Sequence, residues 1–321
     1  MITHLPPAST KRAAPRLSDG VPFNMNLKIE TPRGFDLVRT ISSHGWSELL
    51  PFEWVNRETL LRVLDVGARP PVTVTITGDD GALNVRASRA LNARERERVG
   101  RDVRHMLRLD EGLDEFYSAI ASDPDFGWIA RDGAGRLLRS PTVFEDLVKS
   151  VCTTNCSWSL TTKMVTALVQ NLGRPAAGGR RAFPTPEAMA AEPVGFYRET
   201  VRAGYRSEYL REMAVRVASG EIDPEGWLES ELPTAELKRE MKRVKGVGDY
   251  AAENLLKLVG RYDVLALDSW VRGKFARVRN RGRACDDKKI ARYYSRFGAW
   301  RGLALWCDMT KDWFEGEGRA G

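Results

Sequence analysis

The chain has 321 residues, with 50 Lys and Arg against 43 Asp and Glu, a formal charge of +7 and a pI near 9.3. That length can hold a roughly 100-residue α/β domain and a roughly 200-residue helical one, and no run approaches the roughly 20 apolar residues of a membrane span. Four cysteines with no signal peptide suit reduced thiols in the cytosol, and three histidines far apart in sequence (His4, His44, His105) give a metal-dependent reaction little support.

Residues 1–20, with Pro6, Pro7, Pro15 and scattered basic side chains, read as a flexible leader. Residues 21–110 read as an antiparallel sheet with helices. The β-like segments are residues 24–30, 35–42, 72–77 and 82–87, and Gly78-Asp79-Asp80-Gly81 marks a hairpin between the last two. Residues 94–109 follow as a basic amphipathic helix carrying Val99, Val103, Met106 and Leu107. Residues 111–321 read as mostly helical, so the fold class is α+β.

Within the helical part, residues 144–158 form a helix that ends in small polar residues and Asn155, and Gly204-Tyr205-Arg206 begins another. Residues 235–259 read as helix, glycine turn, helix. Leu237, Met241 and Val244 recur at helical spacing before Gly246-Val247-Gly248, and Ala251, Ala252, Leu255, Leu256 and Val259 recur after it. Glycines allow a tight reversal and leave backbone N–H groups free for a phosphate oxygen. An ordinary helix C-cap followed by a second helix has the same local pattern.

Twenty residues after the turn, Asp268 lies between an apolar run and a helix beginning near Ser269. Its ordinary role is N-cap. The same position suits a carboxylate that stabilises an oxocarbenium-like centre and orients or deprotonates water. Residues 236–289 hold fifteen basic and eight acidic residues, the whole basic excess of the chain, which suits neutralisation of a nucleic-acid backbone or a solvated arginine-rich face.

These segments resemble the helix-hairpin-helix superfamily of DNA glycosylases, nearest its alkyladenine and 8-oxoguanine branch, over nearly the whole chain after the leader. The resemblance implies an enzyme that flips a damaged base out of double-stranded DNA and cleaves its glycosidic bond, with Asp268 as the catalytic carboxylate. It implies DNA-backbone contacts at Lys245, Gly246, Val247, Gly248 and Arg272. Asn155 would fill the gap left by the flipped base, Tyr205 would act as a wedge, and Arg206 would face the opposite strand. No cofactor is implied beyond a monovalent cation at the glycine turn with DNA, and a monomer located with the nucleoid in the cytoplasm suffices.

The departures narrow it. The family's Schiff-base lysine is Tyr250 here, which cannot form an imine, so water-based, monofunctional chemistry is expected; Lys245 and Lys257 are the nearby amines that could restore lyase activity. Lys245 also replaces the proline usual before the turn. Cys152, Cys156, Cys285 and Cys307 do not form the C-terminal quartet of the iron–sulfur branch. Leu160, Trp270, Leu305 and Met309 stand where the 8-oxoguanine enzymes read their base pair, which weighs against that substrate. A base pocket of Tyr250, Trp270, Met309 and, from the N-terminal domain, Trp46 would favour electron-poor, positively charged alkylated purines. The alternatives are an oxidised-purine glycosylase/lyase and a non-catalytic DNA-binding protein.

Overall fold

A computed structural model describes residues 25–315; the expected leader lies outside them. Strands β1 (Met25–Glu30), β2 (Phe52–Val55), β3 (Thr59–Leu64), β4 (Val72–Asp79) and β5 (Ala82–Ala87) form one antiparallel sheet in the order β1-β5-β4-β3-β2. The β4–β5 hairpin turns at the expected place, pairing Asp79 with Ala82 across Asp80 and Gly81.

Residues 35–42, expected as a strand, instead contain helix α1 (Leu37–Ser42). Asp36 caps it, accepting from the Arg39 amide at 2.8 Å, and Leu37, Thr40 and Ile41 bury one face at helical spacing. The strands not foreseen, β2 and β3, complete the sheet on the β4 side.

Helix α2 (Ala93–Met106) opens on a capping box between Asn92 and Glu95. The helical part then runs through α3 (Asp114–Ile120), α4 (Gly127–Arg131), α5 (Val143–Thr153), α6 (Trp158–Leu172), α7 (Pro186–Ala190), α8 (Val194–Glu199) and α9 (Arg206–Ala218). It ends with α10 (Thr234–Met241), α11 (Asp249–Leu258), α12 (Ser269–Arg279), α13 (Asp287–Tyr294) and α14 (Arg301–Glu315). No helix among the described residues is long and apolar enough to cross a membrane.

Two hydrophobic cores result, and neither stops at residue 110. One joins the inner face of the sheet to α5, α6 and α9–α11. The other gathers α3 and α4 with α12–α14. The seam between sheet and helices is also tied by charge. Arg62 on β3 makes a bidentate pair with Glu145 on α5 (2.9 and 2.5 Å), and Lys149 one turn later reaches the same carboxylate at 2.7 Å. All three side chains are buried, so each charge depends on the others for stabilisation.

Candidate active site

Helix α5 ends at Thr153, and Asn155 follows with φ +45°, exposed, in the left-handed region that asparagine tolerates. The turn is braced from α9. Arg206 donates to the Thr154 hydroxyl at 3.2 Å and to the Thr154 carbonyl, and its guanidinium stacks 4.4 Å from the Tyr205 ring. Arg206 is 3% exposed, whereas Tyr205 is 53% exposed. The expectation that Arg206 faces the opposite DNA strand is therefore corrected: its donors are taken up inside the protein, beneath the residues that protrude.

The glycine turn meets the same helix. Gly246 has φ +91°, and a Cβ there would lie 2.9 Å from Tyr209 Cδ2, so only glycine permits this packing. Val247 is buried and anchors the turn. Gly248 precedes α11 with open space where a Cβ would be. Among the described residues no backbone carbonyl outside the helices takes the Gly246 or Gly248 amide, and these join the unpaired first-turn amides of α11 as donors facing outward. The neighbouring cations are not free: Lys245 pairs with Glu212 at 3.3 Å and Lys242 with Asp249 at 3.0 Å. Arg272 makes a bidentate pair with Asp287 at 2.7 and 2.9 Å. A phosphate would have to compete with these half-exposed carboxylates, a modest barrier at a surface.

Asp268 is the N-cap of α12, as its bland reading required. Its Oδ1 accepts from the Val271 amide at 2.7 Å, and the residue is half-buried. Its second oxygen is left for other work. Tyr250, on the first turn of α11, faces the same space: enclosure holds its phenol protonated well above its ordinary range, the Asp268 carboxylate adds to the effect, and a hydrogen bond with Thr153 opposes it. The carboxylate, the phenol and the end of α5 thus converge.

The aromatic surroundings differ from expectation. Met309 is fully buried in the C-terminal core, not in a base pocket, because it lies on the inward face of α14. Trp306 and Trp313, one heptad apart, form the other face and pack against Trp270, with ring centres 6.1 and 5.8 Å from it. Trp46 is buried and donates its indole N–H to Asp146 at 2.7 Å. It joins the group through His44, whose ring is 4.3 Å from Trp46 and 5.6 Å from Trp306. A ladder of rings therefore runs from the sheet domain to the Asp268 helix. Neither Trp306 nor Trp313 was singled out from sequence, although their seven-residue spacing on a helix was visible there.

Behind Tyr250, two turns along α11, lies Lys257. It is 1% exposed, its Nζ is 4.0 Å from the centre of the Trp306 ring, and that nitrogen has no hydrogen-bond partner. Burial lowers its pKa to about 8, against the weaker opposing pull of Asp268 and Glu253. The backbone there is fixed: Arg108, itself buried, donates to the carbonyls of Lys257 and Leu258 at 2.9 and 2.7 Å.

No family model matches the chain, and no curated protein matches it. Solved structures do match. MBOgg1, in complex with a low-affinity DNA ligand, aligns with a TM-score of 0.72 at 19% identity, over 92% of this chain and 96% of that one. The apo 8-oxoguanine glycosylase/lyase of Clostridium acetobutylicum aligns with a TM-score of 0.70 at 18% identity, over 88% and 95%. The 3-methyladenine DNA-glycosylase of Archaeoglobus fulgidus aligns with a TM-score of 0.71 at 22% identity, over 90% and 99%. The chain shares the fold of these proteins from the sheet to the last helix.

Proposed function

We propose that the protein is a DNA N-glycosylase of base-excision repair: it binds double-stranded DNA holding a damaged base, extrudes that nucleotide and hydrolyses its glycosidic bond. The observation that carries this reading is the convergence on one face of the Asp268 carboxylate, the open amides of the glycine turn, and the exposed Asn155 and Tyr205. The amides grip a phosphate beside the target nucleotide, with a monovalent cation at the turn as the single added ion. Asn155 and Tyr205 occupy the duplex space that extrusion vacates and offset part of its cost of a few kcal/mol. Asp268, fixed through one oxygen by the Val271 amide, presents the other to the sugar as positive charge develops at C1′ and orients the attacking water.

The enzyme is monofunctional in this reading, because Tyr250 offers a phenol held protonated where an amine would be needed. The damaged base belongs to the alkylated class, which the rings of Trp270 and Trp306 can stack. A monomer is sufficient. The oxidised-purine glycosylase/lyase is a second reading, and Lys257 is the observation that favours it, since an amine with a pKa of about 8 is partly nucleophilic at neutral pH.

The test is release of free base from duplexes carrying alkylated, oxidised and deaminated bases, wild type beside Asp268→Asn. Release by the wild type without nicking, nearly abolished in the variant, supports the lead. Nicking and borohydride trapping support the second reading. Binding without release of any base removes both.

A further inference from the structure

The hydrolytic reading leaves one group beside Asp268 without employment, and the group is unusual. Lys257 is seven residues after Tyr250, two turns of helix, so both occupy the same face of α11. Its ammonium has three donors, and none finds an acceptor. The Trp306 ring, 4.0 Å away, attracts the charge but takes up no more than one face of it. Glu253 and Asp268 act on it only at a distance. Neither slack nor fraying placed it there: Arg108 and Arg139 hold the α11 carbonyls on either side of the turn, Arg139 donating to Leu258 at 3.0 Å. A buried charged group lacking an acceptor is strongly disfavoured unless something else completes it.

We propose that Lys257 is the residue that reads the extruded base, its Nζ donating to an acceptor atom on the edge of a base stacked against Trp306 and Trp270. This rests on the glycosylase reading and narrows its substrate class. The acceptor is a carbonyl or alkoxy oxygen, or an unprotonated ring nitrogen. A base bearing its own positive charge brings like charges together in an enclosed site and gives the amine nothing to bind. Within the alkylated class the site therefore takes uncharged lesions, such as etheno adducts and O-alkyl purines, and rejects cationic N-alkyl purines. That reverses the preference for cationic purines which the aromatic residues alone imply, because rings attract cations until a fixed cation already lies on them.

Single-turnover base release decides it, using duplexes with 1,N6-ethenoadenine or 7-methylguanine and comparing wild type, Lys257→Met and Lys257→Arg. The expected wild type favours the uncharged lesion at least tenfold. Lys257→Met, close in shape and confirmed folded by circular dichroism, loses most of that preference. Lys257→Arg, which keeps a cation and donors but cannot form an imine, retains it. A wild type that prefers 7-methylguanine, a Met variant with unchanged preference, or a borohydride adduct at Lys257 overturns the proposal. Should no base be released at all, the glycosylase reading fails separately, and binding decides about Lys257. Tryptophan fluorescence titrated with the same two duplexes would show tighter binding of the etheno duplex that Lys257→Met abolishes, and equal binding by wild type would end the assignment.

Discussion

The guanidinium of Arg206 lies 4.4 Å from the ring of Tyr205 and donates to the carbonyl of Thr154, the residue before Asn155. One buried side chain thus supports both protruding residues. Replacing it with alanine leaves the Thr154 carbonyl unpaired and removes the stack, a loss of about 1–3 kcal/mol in stability. Arg206→Ala is expected to lower base release from duplex DNA well beyond its effect on single strands, following Asn155→Ala and Tyr205→Ala. Equal losses on the two substrates would mean that none of the three serves extrusion.

The two glycines of the turn should separate stability from binding. Gly246→Ala meets Tyr209 at a positive φ and should cost about 1–3 kcal/mol, read as a lower urea midpoint. Gly248→Ala has open space and φ −84°, so stability should change by about 0.5 kcal/mol or less. A methyl there shields the donors, and DNA affinity should fall in a filter-binding or anisotropy assay. Unchanged affinity would place the DNA backbone elsewhere.

Asp268→Asn keeps an oxygen that can accept from the Val271 amide, and asparagine caps helices about as well as aspartate. The melting temperature should therefore hardly move while base release falls by two or more orders of magnitude. Asp268→Ala should lose release and about 0.5–2 kcal/mol of stability together. A large stability loss in the asparagine variant, with release intact, would reduce Asp268 to a cap.

Lys257 leaves a signature in stability as well. Its pKa falls from the ordinary 10.5 to about 8 on folding, so the penalty of burying the ammonium is present in full below pH 8. It is relieved as pH rises towards 10.5, where the unfolded chain also gives up its proton. Lys257→Met should raise stability at pH 7 by up to about 3 kcal/mol, with the gain shrinking by pH 10. Urea unfolding at the two pH values measures it.

His105 gives the opposite end of the profile. Burial, with Arg139, Arg108 and Arg101 adding to it, lowers its pKa from 6.5 to about 3. The unfolded chain binds this proton first, so stability should decline as pH falls from 6.5 towards 3. His105→Gln should flatten that part of the curve; an unchanged slope would assign the acid loss to carboxylates.

What was legible in the sequence is what local chemistry decides. Asp268 before Ser269 is a cap by residue type, Gly246 and Gly248 mark a reversal, and Asp80-Gly81 sets a β-turn. Residues 35–42 deceived because the β-propensity of Val38, Thr40 and Ile41 masked the cap at Asp36. Arg206, Met309 and Lys257 depended on something a linear reading does not contain, namely which way a helix face turns once its neighbours are in place. Arginine after an exposed tyrosine looks like a surface residue until Thr154 from another helix comes within reach.

The charges shared by Arg62, Glu145 and Lys149 bear on how the protein can be taken apart. Their partners come from opposite sides of the expected division at residue 110. A fragment starting beyond the sheet would keep Glu145 and Lys149 but lose Arg62, and would bare the apolar bed on which α5 rests. The helices carrying Asn155 and Asp268 are consequently not a transplantable module. Whatever grafts or minimal versions are attempted, the sheet has to travel with them.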